Sequence, residues 1–157
     1  MSANPAHSIS YVLALASDFE ELLALRIAAM RASLERIGRF DPARARERFE
    51  NGFSPQHTRH IVANGRRAGF VVVKAAERCL MLDHLYVLPG CQGRGIGAAV
   101  LAQVFKEADQ LGYSVRVGAL RESDSNRFYL RHGFEKIDED EWDIYYVRPI
   151  GAGVHEN

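Results

Sequence analysis

The chain is poor in cysteine. Cys79 and Cys91 are its only thiols, too few for a disulfide framework or a set of metal ligands, so no metal is expected. Long apolar runs are also missing: nothing approaches the roughly 20 residues that cross a bilayer, and no membrane partner is expected. Net charge is absent too. Lys and Arg number 20, Asp and Glu 20, so no bulk field draws the protein to nucleic acid or to a membrane. Residues 1–10 lack a basic start and an apolar stretch. That argues against a secretory signal and leaves a cytoplasmic location as the default expectation. Repeats, linkers and low-complexity segments are missing as well. What remains is ordinary globular material, 47% apolar and 25% charged over 157 residues. That is enough chain for one domain with a real core and too little for two.

The most informative stretch is Gln92-Gly93-Arg94-Gly95-Ile96-Gly97. An apolar strand over residues 80–87 runs into it, and a helix over residues 98–111 runs out. Three glycines in six residues let the backbone turn tightly and approach a ligand with no Cβ in the way. The loop ends at a helix N-terminus, where unpaired N–H groups and the positive end of the dipole favour a phosphate. A plain connection does not need three glycines, each of which costs backbone entropy. A P-loop requires Lys followed by Ser or Thr after its last glycine, and here Ala98-Ala99 follows Gly97, which excludes it. A dinucleotide fingerprint fits in part, through Gly93-x-Gly95-x-x-Ala98 and the acid Glu122. Against it, Pro89-Gly90-Cys91-Gln92 separates the strand from the first glycine, and little chain remains for a doubly wound half-sheet.

Around this loop the pattern reads strand, two helices, three-strand meander, helix, strand, short helix, hairpin. Residues 9–15 form the first strand. Ser17-Asp18 opens a helix running to about Leu34, with Phe19, Leu22, Leu23, Leu25, Ile27 and Met30 on its buried face. Asp41-Pro42 opens the second, as N-cap and first helical residue. Asn64-Gly65 is a hairpin turn between strands at 58–63 and 68–74. Residues 80–87 complete the meander. Gly112 stops the loop's helix, and a strand at 114–120 returns parallel to residues 80–87 by a crossover. A short helix spans 126–132. Strands at 134–137 and 144–147 close the chain around the acidic turn Asp138-Glu139-Asp140-Glu141. Residues 1–8 and 151–157 are expected as tails, with 9–150 as one domain. The arginines at 26, 31, 36, 39, 44, 46 and 48 make residues 26–48 positive, chiefly as a solvated face and with one or two available to an anionic group on an acceptor.

The loop resembles the Q/R-x-x-G-x-G/A signature of the GNAT superfamily of N-acetyltransferases. Leu82-Asp83-His84-Leu85-Tyr86-Val87-Leu88-Pro89 is similar to the strand that leads into it. Asn126-Arg127-Phe128-Tyr129-Leu130-Arg131-His132-Gly133-Phe134 is similar to the family's second motif. The resemblance implies an α/β fold, a GNAT-like domain in which helices flank a mixed sheet whose central parallel strands splay apart. It implies acetyl-CoA as cosubstrate, no metal, and direct transfer of the acetyl group to a primary amine of an unidentified small-molecule or peptide acceptor. It carries the homodimer, common in the family, as an expectation.

The resemblance also places the chemistry. Backbone amides of Gln92, Gly93, Arg94, Gly95, Ile96, Gly97 and Ala98 hold the pyrophosphate, with the Arg94 side chain able to add charge. Backbone groups of Leu85, Tyr86 and Val87 pair with pantetheine as an added strand does. Tyr129 is the candidate general acid for the leaving thiolate, since a phenol stays protonated at neutral pH; the competing reading is a core aromatic beside Phe128. For the base two residues stay open: Asp83 by position, His84 because an imidazole titrates near neutrality. Ser123 or Asn126 replaces a cofactor-contacting Asn that the family places earlier. The acidic turn with Trp142, Tyr145 and Tyr146 offers a selector for a cationic acceptor, or simply a solvated turn and a closing strand. Two other functions remain: an acyl-CoA-binding module without turnover, and a dinucleotide-binding oxidoreductase.

Overall fold

The computed structural model describes residues 8–151, so the expected tails lie almost wholly outside the described residues. In chain order the elements are β1 (Ile9–Leu13), α1 (Phe19–Arg36), α2 (Pro42–Gly52), β2 (Thr58–Ala63), β3 (Arg66–Ala76), β4 (Cys79–Val87), α3 (Ile96–Leu111), β5 (Ser114–Leu120), α4 (Ser125–Arg131), β6 (Glu135–Glu139) and β7 (Asp143–Arg148). Single 3-10 turns sit at Ala16–Asp18, Pro55–His57 and Pro89–Cys91. Hydrogen bonding orders the strands β1-β2-β3-β4-β5-β7-β6 in one mixed sheet, the expected α/β class. The β4–β5 pair is parallel, as the crossover through α3 requires. The chain falls into two compact units, and β3, β4 and α3 each pass from one to the other.

Among the described residues, the first unit holds the chain up to Val72 together with His84–Ala99. Its hairpin turns on Asn64 and Gly65, both in the left-handed region at φ 53° and 82°, the geometry of a type I′ turn. Asp41 caps α2 through Oδ1, which accepts from the N–H groups of Ala43 and Arg44 at 3.1 and 3.3 Å. Leu22, Leu23 and Leu25 of α1, Phe49 of α2, and Phe70 and Val72 of β3 form the core. Each such side chain, when fully buried, contributes roughly 1.5–3 kcal/mol. Ile27 and Met30, expected in the core, are only half-buried.

Asp18 corrects the capping expectation. It stands at the N-cap of α1 but makes no side-chain bond to that helix. Its Oδ2 accepts from the Leu15 N–H at 2.9 Å and from Nε2 of the buried His60 at 2.9 Å. The hydrogen bond from His60, and after it the one from Leu15, holds the Asp18 carboxyl below its ordinary pKa. The charge that the sequence offered to a helix end is therefore used on a buried imidazole from β2.

The second unit holds Val73–Asp83 and the described residues from Val100 onward. Val100, Leu101, Val104 and Ala108 of α3 are buried, as are Val115, Val117, Ala119 and Leu120 of β5. Arg148, also buried, meets the Asp109 carboxylate at 2.9 and 3.3 Å, and its guanidinium lies 4.1 Å over the Phe105 ring. The acidic turn is shorter than expected. Asp138 and Glu139 belong to β6, whose five residues are all exposed. A register shift between Lys136 and Asp138 interrupts its pairing with β7. A strand with no buried face has no alternating pattern to read.

Candidate functional site

The glycine loop lies in the first unit. β4 ends at Val87, the Pro89–Cys91 turn follows, and Gly93 and Gly95 then take φ of 78° and 79°. A Cβ at either position would meet nothing within 4 Å. Glycine is required there by the left-handed backbone and not by crowding. Helix α3 starts at Ile96, two residues before the expected Ala98, because Ile96 is buried and anchors the first turn. The Ala99 N–H makes the first helical bond, to the Gly95 carbonyl at 3.0 Å. The N–H groups of Ile96, Gly97 and Ala98 therefore have no acceptor within the helix. Gln92 does different work. Its Nε2 donates to the Val87 carbonyl at 2.9 Å, and its own N–H reaches the Pro89 carbonyl at 3.4 Å, so it ties the loop to the strand end. A cleft of about 560 Å³ opens beside the loop, with Arg66 and Arg94 among its lining residues.

The strand before the loop loses one of its two partners along its length. Its parallel register joins Cys79–Leu82 to Ser114–Val117 and goes no further. In the first unit its later half runs against β3, where Gly69 admits a close approach: a Cβ on Gly69 would stand 2.0 Å from the Tyr86 carbonyl oxygen. Leu85, Tyr86 and Val87 are all half-buried.

The two candidate bases have different surroundings. Asp83, in the second unit, pairs with Lys74 at 3.3 Å, both side chains about one-third exposed. His84, in the first, has Nδ1 3.2 Å from the Tyr86 hydroxyl. Its ring lies among those of Tyr86, Phe49 and Phe70 at centroid distances of 5.4, 6.0 and 6.2 Å. The alternation of the strand thus gives Asp83 an ion pair and His84 an aromatic setting.

Ser123, Asn126 and Tyr129 lie in the second unit. Tyr129 is buried, with its ring 5.3 Å from Phe134, 5.4 Å from Phe128 and 6.2 Å from Tyr146. The Ser123 hydroxyl donates its single proton to the Leu120 carbonyl at 2.9 Å. The Asn126 amide binds the carbonyls of Leu120, Ser123 and Arg121 and accepts from the Tyr146 hydroxyl at 2.7 Å. No sequence signal marked Tyr146 as the partner of Asn126.

The acidic turn is engaged within its own chain. The Tyr145 hydroxyl donates to Asp140 at 2.7 Å, and that bond, first among several causes, pushes the phenol up to about 12. Glu139 meets Arg121 and Lys136 at 2.6 and 3.0 Å. Among the arginines, Arg46 is bound to Glu20 and Arg31 to Glu35, whereas Arg44 and Arg48 stand exposed on α2. Among the described residues no group of three or more His, Cys, Asp or Glu is placed to hold a metal, and no helix is long and apolar enough to cross a membrane.

Residues 56–136, more than half of the chain, match the family model described as an acetyltransferase (GNAT) domain. The chain belongs to the GNAT family. The match takes in β2 to β4, the glycine loop, α3, β5 and α4, and leaves β1, α1, α2 and β7 outside. A ribosomal protein bS18-alanine N-acetyltransferase of Haemophilus influenzae is 30% identical over 95 residues, 59% of this chain and 62% of that protein. The chain thus spans less than two thirds of this curated relative. The PaiA N-acetyltransferase of Thermoplasma acidophilum, solved in complex with coenzyme A, superposes with a TM-score of 0.75 at 19% identity, over 90% of this chain and 99% of its own. The ribosomal-protein-S18-alanine N-acetyltransferase of Escherichia coli gives 0.63 at 16%, over 90% and 94%. The two solved structures establish a GNAT fold over 90% of the chain.

Proposed function

We propose that this GNAT protein transfers an acetyl group from acetyl-CoA to a primary amine of its acceptor, directly and without a metal. The observation that carries the reading is the loop from β4 to α3. Gly93 and Gly95, both left-handed, lead into a 16-residue helix whose first three N–H groups have no helical acceptor. A diphosphate is the natural ligand of such an end. The amides of Gly93 to Ala98 hold it, and Gln92 shapes the loop from behind. Leu85, Tyr86 and Val87 offer backbone groups to the pantetheine amides as an added strand.

In the reaction the amine nitrogen forms its bond to the thioester carbonyl carbon, and the carbon–sulfur bond breaks. The departing thiolate takes the Tyr129 phenolic proton. The base receives the proton lost by the amine, directly or through water. Of the two candidate bases, His84 is favoured, because Asp83 is held by the Lys74 ammonium and an imidazole titrates near neutrality. The acceptor is read as an amine of a peptide or a small molecule. The named activity of the Haemophilus relative makes an N-terminal alanine the first candidate.

Calorimetric titration of the protein and of Gly95→Trp with acetyl-CoA, CoA and NAD tests the cofactor. Acetyl-CoA is expected to bind the wild type and not the folded variant; NAD binding without CoA binding would return the loop to a dinucleotide role. An acceptor screen follows, using peptides with an N-terminal alanine and small amines, with CoA release read by a thiol reagent and Tyr129→Phe as control. Tight acetyl-CoA binding without turnover on any amine would make the protein an acyl-CoA-binding module.

A further inference from the structure

We infer that Asn126 and Tyr146 form a clamp that sets the position of Tyr129, a positioning role that rests on the reading of Tyr129 as proton donor. Helix α4 has seven residues, Ser125–Arg131, and its N-cap, Asp124, makes no side-chain capping bond. An uncapped helix of that length is marginal alone and takes its orientation from its anchors. Asn126 is the chief polar anchor. Its Nδ2 lies 2.8 Å from the Leu120 carbonyl, 2.9 Å from that of Ser123 and 3.1 Å from that of Arg121. Two N–H bonds therefore serve three acceptors, and neither is left for another ligand. The other end of the amide is fixed as well, since Oδ1 accepts from the Tyr146 hydroxyl at 2.7 Å.

Tyr146 makes the clamp rigid. It lies on β7, buried, opposite Val117 in the ladder with β5. Burial, the first cause of its shift, raises its phenol above the ordinary value, so it remains an O–H donor across the neutral range. The same side chain touches Tyr129 through its ring, at 6.2 Å between centroids. Asn126 and Tyr129 are three residues apart, one turn on one helix face. One tyrosine of the sheet therefore holds both the first turn of α4 and the ring at its middle. The Asn126 amide, one of the two substitutes for the cofactor-contacting Asn that the family places earlier, is committed to this frame.

The test is a mutant cycle on the full chain with the amine that turns over fastest in the screen. Tyr146→Phe removes one O–H and keeps the ring. It is expected to lower kcat about tenfold with the acetyl-CoA affinity within twofold, and to shift the alkaline limb of the kcat profile. In a Tyr129→Phe background it is expected to lower kcat no further, because both changes act on one proton transfer. Hydrogen exchange of the α4 amides, expected to quicken in Tyr146→Phe, gives a reading independent of turnover. Undiminished kcat with unchanged exchange in Tyr146→Phe overturns the clamp. So does a full, multiplicative loss in the double variant. Asn126→Ala that weakens acetyl-CoA tenfold at normal kcat returns Asn126 to the cofactor. A silent Tyr129→Phe overturns the donor reading itself, whereas an impaired Tyr129→Phe beside an unimpaired Tyr146→Phe overturns the clamp alone.

Discussion

Replacing Gly69 by alanine places a methyl group where β4 passes close to β3. The new Cβ would lie 2.0 Å from the Tyr86 carbonyl oxygen and 3.0 Å from Tyr86 C and Val87 Cα. Cβ atoms do not approach such atoms within 3.0 Å, so one strand must move by about 1 Å. Neither neighbour is a flexible side chain that can swing aside. Overpacking of this kind costs about 1–3 kcal/mol, which for a chain of this length lowers Tm by roughly 3–10 °C. The moving segment is the one proposed to pair with pantetheine. A displacement of about 1 Å there is expected to lower kcat/KM on the order of 100-fold. Gly52→Ala is the control, since its Cβ meets nothing within 4 Å at the end of α2. It is expected to leave Tm unchanged or raise it slightly. Thermal melts and kcat/KM measurements of both variants decide the matter. Gly69→Ala melting with Gly52→Ala and turning over at the wild-type kcat/KM would refute the reasoning.

Two further predictions concern the frame. Asp109→Ala strands the buried Arg148 guanidinium and is expected to cost about 3 kcal/mol, most of it recovered in Asp109→Ala/Arg148→Met; a urea midpoint showing a loss under about 1 kcal/mol would mean that water already solvates the arginine. The depressed pKa of Asp18 means that its ionised form stabilises the fold above the unfolded value of about 3.9, and that this contribution fades as pH falls through the lower folded value. The Tm curves of wild type and Asp18→Asn are therefore expected to lie apart near pH 6 and to converge below about pH 4; a constant gap down to pH 2.5 would remove Asp18 as the cause.

The glycine loop, the crossover and the Asn64-Gly65 hairpin were legible because each rests on a local rule: positive φ, a helix terminus, a two-residue turn. Asp41-Pro42 and Gly112 belong to the same class, and Gly112 does take the left-handed φ of 74°. Asp18 was misread because its partner, His60, is 42 residues away, beyond any capping rule. The closing hairpin was blurred because β6 buries none of its residues. The role of Asn126 is not legible in the sequence, because an amide there does not say whether its donors face a ligand or, as in the fold, three carbonyls of its own chain. Tyr146 stood among the closing aromatics, and only the fold joins it to Asn126.

The interleaving of the two units has a consequence for synthesis. Everything that belongs to the first unit has been made once Ala99 is added, although Val73–Asp83, made in between, belongs to the second. The glycine loop thus exists complete while α3 is only one turn long. The β5 partner of Cys79–Leu82 is still to come, as are α4 and the β7 tyrosine that holds it. A chain emerging in order therefore has the loop proposed to hold the diphosphate before the residue proposed to donate the proton. Capture of stalled nascent chains ending near residue 99 on immobilised CoA would show how early that half becomes competent.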